Sequence, residues 1–277
     1  NAWEFNNLSY RIISWCSNTD LTFYESEKRY KERFFLSLIK QINFLIKNFK
    51  IIPFNSSRIL ACAAIILSGL IFKENYLNLR IGLKNIEKFT TTYFDKNGFP
   101  KSRNPEEVFL CIKYLVMIRA WLKEAQEIIP EFVDDIILKC GSAYNFITNS
   151  SKTLPLFNGC TEINHENFDN YLKTLNYNFK NTEKEFGGLF KIKNKKFEIF
   201  FDVGEPPENN FSSNYQAGVL SFELVYNSFK IICNSGSGKK ISKNLALLSR
   251  NTAAHSTLYL ENQSPVIFQK NKIINKV

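Results

Sequence analysis

Proton transfer near neutral pH falls on few side chains in this 277-residue sequence, because it holds only two histidines, His165 and His255. His255 stands in Arg250-Asn251-Thr252-Ala253-Ala254-His255-Ser256-Thr257-Leu258, just ahead of a strand-like stretch. An imidazole at a strand mouth, beside hydroxyls and an arginine, suits an acid, a base or a ligand. The competing reading, a histidine satisfied by local hydrogen bonds, is the commoner case on this context alone, and it is stronger still for His165, which sits in a polar loop. Six cysteines, Cys16, Cys62, Cys111, Cys140, Cys160 and Cys233, lie far apart. No pair has the short spacing of a zinc knuckle or a redox motif. Cys62 and Cys111 fall in apolar helical runs, where a thiol acts as a small hydrophobe. Without a disulfide framework, this usage leans toward a reducing compartment. Gly236-Ser237-Gly238-Lys239 is a poor phosphate loop: the first glycine is missing at the required spacing and no clear helix follows.

The elements that must position these groups change character along the chain. From Ser26 to Phe49 apolar residues recur at Phe34, Phe35, Leu38, Ile39, Ile42, Leu45, Ile46 and Phe49, the three-and-four spacing of one helical face. Pro53 closes that segment, and Asn55 or Ser56 can cap the next helix, which runs to about Phe72. A third helix is predicted from Glu74 to Phe94, followed by the turn cluster Asp95 to Pro100. Asn104-Pro105-Glu106-Glu107 is a helix start: a cap, proline in the first turn, and acids at the positive end of the dipole. That helix reaches about Ile128, and Pro130 opens another from Glu131 to Phe146. Short connections make consecutive helices antiparallel neighbours.

Residues 150–187 are polar and asparagine-rich, and from Gly188 the period becomes two. Three hairpins are predicted: Leu189–Lys193 with Phe197–Phe201, Val219–Val225 with Phe229–Cys233, and Ser256–Leu260 with Val266–Gln269. Helices first and an antiparallel sheet afterwards define an α+β chain of two domains, not an alternating α/β fold. The expected division is a helical domain over 1–150, a connecting segment over 151–187 and a sheet domain over 188–277.

With 36 basic and 26 acidic residues the net charge is +10. It is spread evenly along the chain, whereas nucleic-acid binding favours a concentrated stripe. A biased codon pool also yields this mixture of Lys, Asn, Ile and Phe. The longest apolar run, Ile59 to Phe72, is shorter than the roughly 20 residues of a membrane span and reads as a buried helix. Trp3 and Phe5 read as core residues, and the lack of a leader-like pattern at the start carries no weight if the chain is a piece of a longer protein. The end at Ile273 to Val277 falls within strand-like sequence, so the chain is expected to be a piece of a longer protein.

The succession Leu220-Ser221-Phe222-Glu223-Leu224, Ile232-Cys233-Asn234-Ser235-Gly236 and Thr252-Ala253-Ala254-His255-Ser256-Thr257 resembles the sheet domain of heparinase II/III-like proteins. Leu156-Phe157-Asn158-Gly159 and the stretch Gly98 to Pro105 resemble the helical half of that family and the segment joining it to the sheet. The resemblance implies a helical toroid followed by an antiparallel β-sandwich, with an acidic polysaccharide bound in the cleft between them. It also implies β-elimination at a uronic acid, which needs a neutraliser for the carboxylate, a base for the C5 proton and an acid for the leaving oxygen. A cell-envelope or periplasmic location comes with the family, and a cytoplasmic one is the alternative.

Departures from the family pattern shape the expected site. Where the family carries His-x-His this chain has Asn214-Tyr215-Gln216, and Asn234 stands where an Asp is usual. Glu107 stands where relatives place a Tyr, and the family's Asn falls at Asn55 or is lost to Ser56. Neutral amides are poor zinc ligands, so no metal and no cofactor are expected. One reading keeps the chemistry: His255 and Tyr215 are catalytic, and Arg103, Asn104, Asn55, Gln216, Asn234 and Arg250 hold substrate. The other is a decayed site that binds a glycan or a partner without cutting it. On either reading the expected partner is an acidic polysaccharide and not a nucleic acid.

Overall fold

A computed structural model describes residues 2–23, 25–72, 76–260, 263–269 and 272–276. Among these residues seven α-helices come first: α1 (Phe5–Ser17), α2 (Thr19–Thr22), α3 (Lys28–Lys47), α4 (Ser56–Ile71), α5 (Tyr76–Tyr93), α6 (Pro105–Glu124) and α7 (Glu131–Ile147). After α8 (Glu166–Thr174) come β1 (Glu185–Phe186), β2 (Leu189–Lys193), β3 (Phe197–Asp202), β4 (Phe222–Tyr226) and β5 (Phe229–Ile232). The short α9 (Lys243–Leu248) precedes β6 (Val266–Gln269) and β7 (Lys272–Lys276). Helices followed by an antiparallel sheet is the α+β order that the change of period predicts. No helix among the described residues is long and apolar enough to cross a membrane.

The chain packs as two compact units, one of Asn1–Tyr93 with Lys113–Asp135, the other of Phe94–Ile112 with Ile136–Val277. The division falls inside α6 and α7, so each of these helices gives one end to each unit. In the first unit α4 is the core element, with every residue from Ile59 to Gly69 buried. Its axis lies close to α5 because both helices carry glycine at the contact. A Cβ on Gly69 would lie 2.3 Å from the Leu79 nitrogen, and one on Gly82 would lie 2.4 Å from Ile66 Cγ1. Phe54, Phe89 and Tyr93 cluster in the same unit. Trp3, read from sequence as core, is 47% exposed and meets the edge of Phe44.

The second unit carries a five-stranded antiparallel meander in the order β1-β2-β3-β4-β5. Asn227 and Ser228 both adopt positive φ in the two-residue β4–β5 turn, which matches the twist of the strands. One prediction fails here. Ser256–Leu260 is not a strand: residues 252–254 form a 3-10 turn, and β6 pairs instead with β7, although the proposed turn residues 261 and 262 lie outside the described set. The connecting segment holds a helix, α8, which buries Phe168 and Leu172 one turn apart.

On β3 the side chains alternate, and the inward ones are Glu198, Phe200 and Asp202. Glu223 on β4 is likewise inward and pairs in register with Phe200. Three buried carboxylates on one sheet are stable only when each is met by donors. Glu198 accepts from the Ser150 amide at 2.8 Å and lies 3.2 Å from Lys191. Glu223 accepts from the amides of Leu156 and Asn234, both at 3.0 Å, with Lys230 beside it. These acids anchor the segment after α7 onto the sheet.

Candidate functional site

The third carboxylate, Asp202, explains Arg103. Arg103 sits just ahead of α6 with φ 57°, and its guanidinium is buried. It donates to the carbonyls of Gly187 at 3.1 Å, Gly188 at 2.8 Å, Gly204 at 2.9 Å and Glu205 at 2.8 Å, and to the Asp202 carboxylate. A guanidinium has five N–H groups, and all five are spent inside the protein. Arg103 therefore clamps the β1–β2 turn to the end of β3 and has no donor left for a substrate carboxylate. Next to it, Asn104 caps α6 by accepting from the Glu106 amide at 2.8 Å. Asn55 does the same for α4, accepting from Ser57 at 3.0 Å, but it belongs to the first unit.

Tyr215, Gln216 and Arg250 are brought together by two adjoining segments. Arg250 Nε donates to the Tyr215 carbonyl at 3.0 Å, and the Ala217 amide donates to the Arg250 carbonyl at 3.0 Å. The Arg250 guanidinium also lies 4.0 Å from the ring centroid of Phe268. Gln216 is buried and saturated: Oε1 accepts from Gly159, and Nε2 donates to the carbonyls of Gly236 and Ser249. Tyr215 is 1% exposed, packed with Ala217 and Val266. Burial, and then the charge of Asp202, push its phenol well above the usual tyrosine range. A hydroxyl so placed is a poor proton-transfer group.

His255 follows the 3-10 turn Thr252–Ala254 and its ring lies against Gly218, where a Cβ would be 2.9 Å from the imidazole Cγ. Nε2 is 3.1 Å from the Ser249 carbonyl, the same carbonyl that Gln216 uses. Burial pushes the ring down to about 4, so it is neutral at pH 7. A carbonyl can only accept, so Nε2 carries the proton and Nδ1 keeps its lone pair. Asn234 is one residue removed: its Oδ1 accepts from the Ser256 amide at 3.0 Å. His165, by contrast, is 2% exposed and bonded through Nδ1 to Asp169 at 2.8 Å.

Two cations that sequence reasoning passed over border this region. Lys239 reaches the Asn214 amide oxygen and lies close enough to Arg250 for the charges to act on one another. Lys240 donates to the Thr161 hydroxyl at 2.8 Å, itself bonded to Glu106. Both lysines are solvent-exposed; Lys239 ends the stretch dismissed as a phosphate loop, and Lys240 follows it. No group of metal-binding side chains occurs among the described residues.

Residues 183–276 match the family model described as Heparinase II/III-like, C-terminal. Among solved structures the chain is similar to one of heparinase III, with a TM-score of 0.77 and 14% identity over 95% of this chain and 48% of that one. It is also similar to the heparan sulfate lyase HepC from Pedobacter heparinus, with a TM-score of 0.67 and 17% identity over 96% of this chain and 46% of that one. The chain thus spans about half the length of the solved structures it matches. No curated protein sequence matches it. At such identities the likeness shows the fold: a helical array followed by an antiparallel sheet.

Proposed function

We propose that this chain, heparinase II/III-like over residues 183–276, belongs to a polysaccharide lyase that cleaves a uronic-acid-containing polymer by β-elimination. The observation that carries the reading is the state of His255: neutral, with its tautomer set by the Ser249 carbonyl and a lone pair left on Nδ1. A bound uronate brings a negative charge beside the ring, which favours the imidazolium and raises the pKa toward neutrality. In the reaction a base takes the C5 proton, the electron pair forms the C4–C5 double bond, and the C4–O bond breaks with protonation of the leaving oxygen. His255 is the proton acceptor in this scheme. The exposed ammonium of Lys239, with Arg250 behind it, opposes the carboxylate charge that builds up as the proton leaves. A polymeric substrate of this kind puts the protein in the cell envelope or periplasm.

Binding without cleavage is the second reading. It is favoured by the fate of Tyr215, Gln216, Asn234 and Arg103, whose burial and internal bonds leave the site without a second proton-transfer group. The two are separated by incubating the full-length protein with a panel of uronic polysaccharides and following the ultraviolet absorbance of the unsaturated product. Product from the wild type and none from a folded His255→Ala variant is the expected result. Equal rates from both proteins remove His255 from the mechanism, and retained binding with no product from either leaves the non-catalytic reading.

A further inference from the structure

A groove lies in the sheet-bearing unit, lined by residues other than those around His255. Two cavities, of about 590 and about 570 Å³, share Asn145 and Thr148 at the C-terminal end of α7. Each falls within the roughly 300–1,000 Å³ of small-ligand sites. Together they run from the end of α8, past α7, to the outer part of β2.

One side of the groove is an aromatic platform. Tyr177 and Phe179 stack with centroids 5.2 Å apart and planes 24° from parallel. The platform is held in place: the Phe179 ring lies over Gly141, where a Cβ would be 2.1 Å from its Cδ1. Behind it the strap of residues 180–183 is tied to α7, the Ser142 hydroxyl donating to the Lys180 carbonyl and Asn181 to the Ser142 carbonyl, both at 3.2 Å. The side-chain amides of Asn145 and Asn178 are exposed at the groove and make no hydrogen bond among the described residues. At the ends stand cations. Lys173 and Lys184 form no ion pair among the described residues, and Lys193 is 61% exposed although it lies 3.4 Å from Glu198. Of the lining acids, Asp169 is occupied by the Tyr144 hydroxyl and His165, which leaves Glu183 against Lys173 and Lys184, while Lys191 and Lys193 share Glu198.

Rigid rings that present an apolar face, uncommitted amides and flanking ammonium groups match one chemistry. Pyranose rings offer C–H faces for stacking, hydroxyls for amides, and carboxylate or sulfate groups for lysines. We infer that this groove is a secondary binding site for an acidic polysaccharide, which holds the polymer on the sheet-bearing unit through residues other than those around His255. The inference rests on the polysaccharide reading above but not on cleavage.

The test uses the full chain with heparan sulfate and polygalacturonate oligosaccharides as probes. Hydrogen exchange is expected to show protection of residues 176–184 and 190–193 on addition of at least one probe. Calorimetric titration of that probe is expected to give about ten-fold weaker binding for Lys184→Glu/Lys193→Glu, and weaker binding again with Tyr177→Ala. These substitutions lie at the surface, so circular dichroism will verify that each variant is folded. Unchanged affinity in the folded variants, or no protection of 176–184 by either probe, overturns the groove whether or not product forms. Duplex DNA bound as tightly and weakened equally by the substitutions also overturns it, in favour of a general polyanion surface. The product assay is read separately, so a groove that binds in a protein that does not cleave remains distinguishable.

Discussion

Replacing Arg103 by alanine tests whether this residue is a clamp or a substrate ligand. The substitution removes five hydrogen bonds and leaves Asp202, 1% exposed, without its cation. Breaking a buried ion pair from one side costs about 3–5 kcal/mol. Four carbonyls also lose their donor, at about 1–3 kcal/mol each where water cannot enter. Water entering the vacated space satisfies several of them, so about 4–6 kcal/mol is expected in total. Native stability is typically about 5–15 kcal/mol, and at about 2–4 °C per kcal/mol the midpoint should fall by about 8–24 °C. Arg103→Lys keeps the charge but at most three donors, and should cost roughly half as much. Urea unfolding followed by circular dichroism reads both variants, with the wild-type slope as the check on two-state behaviour. A loss below about 1 kcal/mol for Arg103→Ala, accompanied by weaker polysaccharide binding, would refute the clamp and return Arg103 to the substrate site.

Other consequences follow from the same geometry. His255 is held at about 4 when folded against 6.5 as an ordinary histidine, so between these values only the unfolded chain takes up the proton. Stability contributed by the neutral ring is therefore complete above about pH 6.5 and declines as the pH falls toward 4, by at most about 3 kcal/mol. His255→Gln should flatten that part of the stability–pH curve, and an unchanged curve would show the ring is not held neutral. Gly159 has φ 87°, and a Cβ there would lie 2.3 Å from the Asn214 carbonyl oxygen. Gly159→Ala should therefore lower the urea midpoint markedly, by more than the about 1 kcal/mol of an ordinary glycine replacement. Five cysteines are buried and Cys233 is exposed, so a thiol reagent should modify one equivalent rapidly in the native protein and six after denaturation. Rapid reaction of two or more would contradict the burial.

Local chemistry fixed much of this protein before any contact was considered. The Asn55 and Asn104-Pro105 caps, the apolar period of α3 to α7, and the alternation of β2–β3 and β4–β5 each depend on neighbours within a few residues, so the order helices-then-sheet was legible. The order of motifs around Glu223, Asn234 and His255 also pointed to the family that residues 183–276 match. Weakly apolar stretches were not legible: α8 has only Phe168 and Leu172 to show its face, and Ser256–Leu260 looked extended but forms no strand among the described residues. The division into units was not local either, since it falls within continuous helices. Least visible was which polar residues face inward. Arg103 meets partners 84 to 102 positions away, and Gln216 meets Gly159 across 57. A residue's type states what it can bond, but only the packing of distant segments decides whether those bonds are spent inside the protein or left for a ligand.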